Sequence, residues 1–225
     1  MQSTIGVTIL AVQERATVPR GRHAPPLEVR QDRQRARLFA AAAAVFARVG
    51  YADATAEAIA REAGMSKATF YEHFANKEEC IIALFDAAVE TLLHNMRDAV
   101  ARHADAEPTT RVRTTLEAFL GTLARYREES QTLLVEIVGA GPRAMERRDR
   151  ALDAVATYID ELNRIDSERG RSPRLPSYSD AYAITGAVVE LASRQIRTGV
   201  PGDIRDLEPV VERLILGLLG AGEKP

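Results

Sequence analysis

The sequence has a single cysteine, Cys80, so no disulfide can form within the chain. It has no sustained alternation of apolar and polar residues rich in β-branched side chains, which argues against a β-sheet protein. The apolar stretch at residues 4–12 is too short to span a bilayer and lacks the flanking features of a signal peptide. These absences predict an all-α protein of the reducing cytoplasm, with no membrane partner. We expect Cys80 to be a small core residue rather than a redox sensor.

Charge of one sign is not in large excess either. The 30 basic and 32 acidic residues give a net charge of −2, which excludes a strongly basic, non-specific nucleic-acid binder. Between residues 15 and 37, however, seven arginines face only Glu28 and Asp32. Because prolines and a glycine interrupt this arm, residues 1–30 are predicted to be a disordered basic extension. A solvated tail explains the arginines as well as a DNA contact does.

Apolar residues recur at helical spacing through the rest of the chain. A first helix is predicted from Arg33 to a break at Gly50, since glycine commonly ends a helix. A fourth begins with a capping box made by Asn76 and Glu79 and extends to about residue 103. Helices two and three are expected at 55–63 and 67–74, and five more at about 110–129, 131–138, 143–169, 179–198 and 207–219.

Helices two and three have the pattern of a helix-turn-helix. Thr55 and Ser66 can cap them, and Gly64 permits the positive φ of the turn between them. Phe70 and Phe74 lie four residues apart and are predicted to face inward. The outward residues of the third helix suit DNA, because they offer an amine, a small contact surface for a thymine methyl, and hydroxyls. These residues are Lys67, Ala68, Thr69, Tyr71 and His73.

Residues 33–85 resemble the N-terminal domain of the tetracycline-repressor (TetR) family. The resemblance lies in Ile-Ala-x-x-Ala-Gly-x-Ser at 59–66, Lys-Ala-Thr-Phe-Tyr-x-His-Phe at 67–74 and Asn-Lys-Glu at 76–78. It implies that Lys67, Ala68 and Thr69 enter the major groove. It also implies that phosphates are contacted by Thr55, Tyr71, His73 and Lys77. The full candidate DNA-binding set is Thr55, Ser66, Lys67, Ala68, Thr69, Tyr71, His73 and Lys77. Glu57 and Glu72 depart from the family pattern by placing negative charge beside this surface.

The resemblance also implies the organisation of the chain. A three-helix DNA-binding domain at 31–78 is joined through helix four to a larger helical domain at 79–225, which binds a ligand and dimerises. Apolar and aromatic residues there could line a cavity, although such residues more often form core. The pocket candidates are Phe119, Leu123, Tyr126, Leu134, Ile137, Val138, Tyr158, Leu162 and Tyr182.

The last two predicted helices carry more apolar surface than one shielded face requires, so they are the predicted dimer interface. Its residues are Val188, Leu191, Val211, Leu214, Ile215 and Leu218. A two-fold pairing of these helices forms a four-helix bundle and places two recognition helices about one DNA turn apart on a palindromic site.

These features predict a sequence-specific transcriptional regulator, a homodimer that a small-molecule effector releases from a palindromic double-stranded DNA operator. Similar proteins are more often repressors than activators. The alternative is a helical protein-interaction module whose helix-turn-helix does not bind DNA. We predict no enzyme, because the sequence shows no nucleophile–base set and no phosphate-binding loop. No cofactor or metal is predicted, since the histidines outside the motif lack ligand partners at suitable spacing.

Overall fold

The structure is a computed structural model that describes residues 26–220, and within that range the chain forms nine α-helices, two 3₁₀-helices and no strand. The prediction of an all-α fold is confirmed. The α-helices are α1 (Leu27–Asp53), α2 (Ala56–Glu62), α3 (Lys67–His73), α4 (Lys77–Arg102), α5 (Pro108–Arg125), α6 (Arg127–Leu134), α7 (Pro142–Glu168), α8 (Tyr178–Thr198) and α9 (Glu208–Gly220). The 3₁₀-helices are Glu136–Gly139 and Ile204–Leu207.

Helix α1 is longer at both ends than its sequence pattern predicts. It begins at Leu27, so residues 27–30 of the predicted extension are helical, while residues 1–25 lie outside the described range. The predicted break occurs at Gly50, whose φ of 77° is a conformation that glycine adopts easily. A last turn then follows to Asp53.

The caps of the next three helices form as the sequence indicates. Thr55 Oγ1 accepts from the Ala58 N–H at 3.1 Å, and Ser66 Oγ accepts from the Thr69 N–H at 3.0 Å. Between them Gly64 has a φ of 63°. Asn76 Oδ1 likewise caps α4, but the Glu79 carboxylate accepts from Arg143 Nη2 at 2.7 Å instead of completing a capping box.

The predicted break near residue 130 is wrong. Helix α5 ends at Arg125 and α6 runs from Arg127 to Leu134, so the polar residues expected at the break lie inside α6. Glu129 and Ser130 are buried there, and Ser130 Oγ donates to the Leu123 carbonyl at 3.1 Å. A buried serine that finds a backbone acceptor is compatible with a helix interior, which composition alone does not reveal.

One hydrophobic core joins the two parts of the chain. Helix α1 packs on α2 and also on α6, while α4 packs on α5, α6 and α7. Helices α7 and α8 form the most extensive pair, and α9 lies against α5 and α8. The helix-turn-helix is therefore held by the same core that encloses the C-terminal helices. No helix within residues 26–220 has the length and hydropathy needed to cross a membrane.

Candidate DNA-binding surface and effector cavity

The structure brings the predicted DNA-binding residues together around the start of α2 and the outer face of α3. Thr55, Ser66, Lys67, Ala68 and Tyr71 are exposed, whereas Thr69 and His73 are half-buried. Behind them Phe70 is fully buried and stacks against Phe74 with ring centroids 5.5 Å apart. The inward phenylalanines thus fix which side of α3 is presented to solvent.

Lys67 forms an ion pair with Glu57 across the two helices of the motif. Its ammonium contacts Glu57 Oε1, and it also lies 5.7 Å from the centre of the Tyr71 ring. The hydrogen bond raises the pKa of Lys67 and lowers that of Glu57. Because the two side chains are 54% and 55% exposed, solvent and ligands can reach the pair. A DNA contact by Lys67 must therefore compete with Glu57.

His73 lies at the end of α3 against the first helix. Burial, and then the positive charge of Arg35, lower the pKa of its imidazole. Its Nε2 is 3.4 Å from Gln34 Oε1. This shift favours the neutral imidazole, which suits a hydrogen bond to phosphate better than an ion pair.

Two arginines of the predicted basic arm belong to the motif's own packing, which the sequence did not reveal. The Arg35 guanidinium lies 5.1 Å from the ring centres of both Phe39 and Phe74. Arg37 Nη2 donates to the Ala63 carbonyl at 2.6 Å, at the end of α2. Both side chains stabilise the helix-turn-helix from behind.

The structure gives Lys77 a different role from the predicted phosphate contact. Its Nζ donates to the carbonyls of Tyr51, Ala52 and Ala54 at 2.8, 2.9 and 3.0 Å, and lies 4.5 Å from the centre of the Tyr51 ring. An ammonium has three hydrogens, so this set of acceptors uses all of them. Lys77 thus fastens the start of α4 to the end of α1.

Residues of the C-terminal part hold the same end of α1. Glu136 Oε2 accepts from the Tyr51 N–H at 2.8 Å, and its other oxygen accepts from Gln131 Nε2 at 3.1 Å. Gln131 Nε2 also donates to the Ala47 carbonyl at 3.3 Å. These bonds connect α1 directly to α6 and to the 3₁₀-helix that follows it.

A cavity of about 150 Å³ lies among α4, α5, α7, α8 and α9. Its wall is almost entirely apolar, with Phe85, Leu92, Val155 and Ile159 among the lining side chains. Of the predicted pocket residues it includes Phe119, Leu134 and Leu162. The other predicted lining residues do not border this space.

Six predicted pocket residues lie elsewhere. Leu123 and Ile137 are buried in the core, and Tyr126 and Tyr158 are half-buried outside the cavity wall. Val138 and Tyr182 are exposed, so they cannot line an internal space. All six side chains are largely apolar and recur at helical spacing, so the sequence does not distinguish those that line the cavity from those that pack elsewhere.

The few polar groups of the cavity wall were not predicted. Arg111 Nη1 donates to Asp166 Oδ1 at 2.6 Å, in an ion pair whose side chains are 7% and 8% exposed. Arg111 Nε has no hydrogen-bond partner. Asn163 and Arg148 also border the space, at positions that have no sequence motif.

The predicted dimer interface needs a correction. Val188 and Val211 are buried within the monomer, and Val188 and Ile215 line the cavity, so these residues face inward. Leu191, Leu214 and Leu218 are half-exposed. Of the six predicted interface residues, these three leucines therefore remain on the outer surface of α8 and α9.

Within residues 26–220 no group of three or more histidine, cysteine, aspartate or glutamate side chains is arranged to hold a metal ion. Cys80 is completely buried, and burial raises the pKa of its thiol to about 12. This confirms its predicted place in the core.

Residues 38–84 match the family described as bacterial regulatory proteins, tetR family. Over 145 residues the chain is 34% identical to the HTH-type transcriptional activator FasR of Mycolicibacterium smegmatis, which covers 63% of this chain and 65% of FasR. It is 29% identical over 137 residues to the HTH-type transcriptional repressor KstR2 of Mycobacterium tuberculosis, covering 58% and 65%. The match thus spans slightly less than two thirds of these relatives' length.

Solved structures share the fold over a larger part of the chain. The fatty acid degradation regulator FadR of Bacillus halodurans has a TM-score of 0.72 at 21% identity, covering 85% of this chain and 97% of that one. FadR of Bacillus subtilis in complex with stearoyl-CoA has a TM-score of 0.68 at 17% identity, covering 84% and 98%. Residues 38–84 thus match the tetR family of bacterial regulatory proteins, and the rest of the chain shares the all-α fold of these solved structures.

Proposed function

We propose that the protein is a DNA-binding transcriptional regulator. The observation that carries this proposal is the outer face of α3, where Lys67, Ala68 and Tyr71 are exposed beside the capping residue Ser66. Such a face offers a cation, a hydroxyl and a small side chain to the major groove. The family match over residues 38–84 and the regulatory relatives support the same function.

We also propose that the regulator acts as a homodimer on a palindromic operator. Residues 214–219 of α9 are apolar apart from one glycine, yet Val211 is the only buried residue of that helix. An apolar helix covered on one side gains from a second chain, and a two-fold mate would repeat the α3 face on the other half-site.

The proposed signal is a small apolar molecule in the cavity beside α4. Its aliphatic wall favours an acyl chain, and a structural neighbour was solved in complex with stearoyl-CoA. Helix α4 lines the cavity and continues to Lys77, which holds the end of α1. We propose that an acyl ligand shifts α4 and releases a repressor from its operator. A coupling of about 1–3 kcal/mol between the two sites suffices for this release.

Footprinting and mobility-shift titrations on the DNA flanking the gene test the DNA-binding proposal. We expect a protected palindrome whose affinity falls steeply with salt. Lys67→Ala should lower the slope of log affinity against log salt by about one per subunit, because one phosphate or base-edge cation is lost. Arg102→Ala is the matched control, since Arg102 is exposed at the opposite end of α4.

A folded protein that protects no DNA would overturn the proposal and favour the alternative of a protein-interaction module. A reporter gene placed behind the operator tests the direction of regulation. Deletion of the regulator should raise reporter expression if it represses, and addition of an acyl compound should do the same only when the regulator is present.

A further inference from the structure

We propose that Arg148 binds an anionic head group at one end of the effector cavity, while the apolar tail of the same ligand occupies the rest. This inference rests on the proposed function, because it assumes that the cavity receives a ligand. It adds the chemical class of that ligand, an aliphatic amphiphile with a carboxylate or phosphate head, and the side chain that selects it.

The two charged side chains of α7 that line the cavity stand at opposite ends of this helix. Arg148 lies in the second turn of the helix, and Asp166 lies close to its end. At a rise of about 1.5 Å per residue, the 18 residues between them correspond to roughly 27 Å along the axis. Apart from Asn163, which lies next to the Asp166 end, the α7 residues that line the interval are apolar: Ala151, Leu152, Val155, Ile159 and Leu162. The cavity wall along α7 is therefore mostly aliphatic and has a charged side chain at each end.

The end near Asp166 is electrically neutral and unsuited to an anion. Arg111 is already paired with Asp166 in a contact that is more than nine-tenths buried. An anionic head placed there would lose its water and would meet the carboxylate of Asp166 in a medium of low polarity. The Asn163 amide is occupied as well, because its oxygen accepts from the Leu175 N–H and its nitrogen donates to the Pro173 carbonyl.

The other end carries a positive charge without a counter-ion. Arg148 is half-buried, and no described residue forms an ion pair or hydrogen bond with it. Its arginine neighbours on α7 differ: Arg143 pairs with Glu79, Arg147 with Asp86 and Arg150 with Glu146. Thus the one cation of this segment that borders the cavity is the one left unpaired.

A half-buried guanidinium has lost part of its hydration, and an anion restores it through charge-assisted hydrogen bonds. Arg148 is also more exposed than Arg111, so an anionic head there keeps contact with water while its tail enters the cavity. We therefore place the head group at Arg148 and the apolar tail inside the cavity.

Calorimetric titration of the purified full-length protein with three probes of equal chain length tests the proposal. The probes are decanoate, decyl phosphate and the uncharged 1-decanol, each below its micellar concentration. We expect at least one anionic probe to bind about tenfold more tightly than 1-decanol, as for a hydrogen bond to a charged group. Comparison of decanoate with decyl phosphate distinguishes a carboxylate head from a phosphate head.

Arg148→Met should remove the preference for the anion and leave the affinity for 1-decanol unchanged, because methionine keeps the apolar stem. Arg148→Lys should retain part of the preference. Arg150→Met, an exposed arginine on the same helix that does not line the cavity, should behave as the wild type.

An unchanged anion preference in Arg148→Met would overturn the assignment. Equal binding of decanoate, decyl phosphate and 1-decanol to the wild type would overturn the head-group inference alone. Binding of none of the three would overturn both this inference and the cavity's proposed role as an effector site. Operator binding is measured separately by mobility shift. A protein that binds its operator but none of the probes would contradict the effector site and leave the DNA-binding function intact.

Discussion

Replacing Lys77 with methionine should destabilise the fold without removing a DNA contact. The substitution keeps the length of the side chain but deletes three hydrogen bonds to the end of α1 and the contact with the Tyr51 ring. What remains is a set of backbone carbonyls without a donor at the junction of α1 and α4.

The magnitude follows from the burial of these partners. Each hydrogen bond to a charged group is worth about 1.5–3 kcal/mol, and the ring contact about 0.5–1 kcal/mol. Lys77 is only partly buried and Ala52 is exposed, so water replaces much of what is lost. We therefore expect a decrease of about 2–3 kcal/mol in the free energy of unfolding, a sizeable part of the 5–15 kcal/mol typical of a domain.

Urea unfolding and salt-dependent mobility shifts should be measured on the same preparations of Lys77→Met and Lys67→Met. The first variant should unfold at lower urea and keep the wild-type salt slope. The second should unfold as the wild type does and lose about one unit of slope per subunit. If Lys77→Met instead keeps its stability and loses slope, Lys77 is a phosphate contact and the fastening role is refuted.

Three further outcomes are expected. Glu57→Gln should raise operator affinity about two- to fivefold at low salt, because Lys67 is freed and a charge that repels DNA is removed. Unchanged affinity in the mobility shift would contradict the idea that Glu57 competes with DNA for Lys67. Arg111→Met should cost about 3–5 kcal/mol in urea unfolding, since Asp166 is left buried without a partner, and Asp166→Leu in the same chain should restore most of it; a stable single variant would show that the pair is dispensable. Cys80, whose pKa is raised to about 12, should resist a thiol reagent at pH 8 until the protein unfolds. Complete labelling of Cys80 in the folded protein would disprove its burial.

The helix-turn-helix was predictable because its determinants are local. The caps at Thr55 and Ser66, the glycine turn and the inward phenylalanines lie within 20 residues, and each sets the backbone of its neighbours. The same holds for the break at Gly50. Where the determinant was a tertiary contact the prediction failed, as at Ser130, whose hydroxyl finds an acceptor seven residues earlier in the chain.

The lining of the cavity was not predictable for a related reason. Periodicity identifies the apolar side of a helix, but it does not tell whether that side meets core, empty space or another subunit. Val188 and Ile215 were expected at a dimer interface and line the cavity instead, while Tyr182 was expected in the pocket and lies exposed. Arg148 and Arg111 belong to no sequence motif, and only the packing of α7 and α5 shows that they line the cavity.

Helix α1 packs on both α2 and α6, and this has a consequence for domain exchange. A chimera that replaces residues 31–78 with the DNA-binding head of another regulator would also replace the surface of α1 that fits this protein's own C-terminal helices. Transplanted heads should therefore work only when the donor's first helix matches the recipient's α6, or when that side of α1 is kept. In evolutionary terms, the helix-turn-helix and the C-terminal helices cannot be exchanged independently, because α1 packs against both.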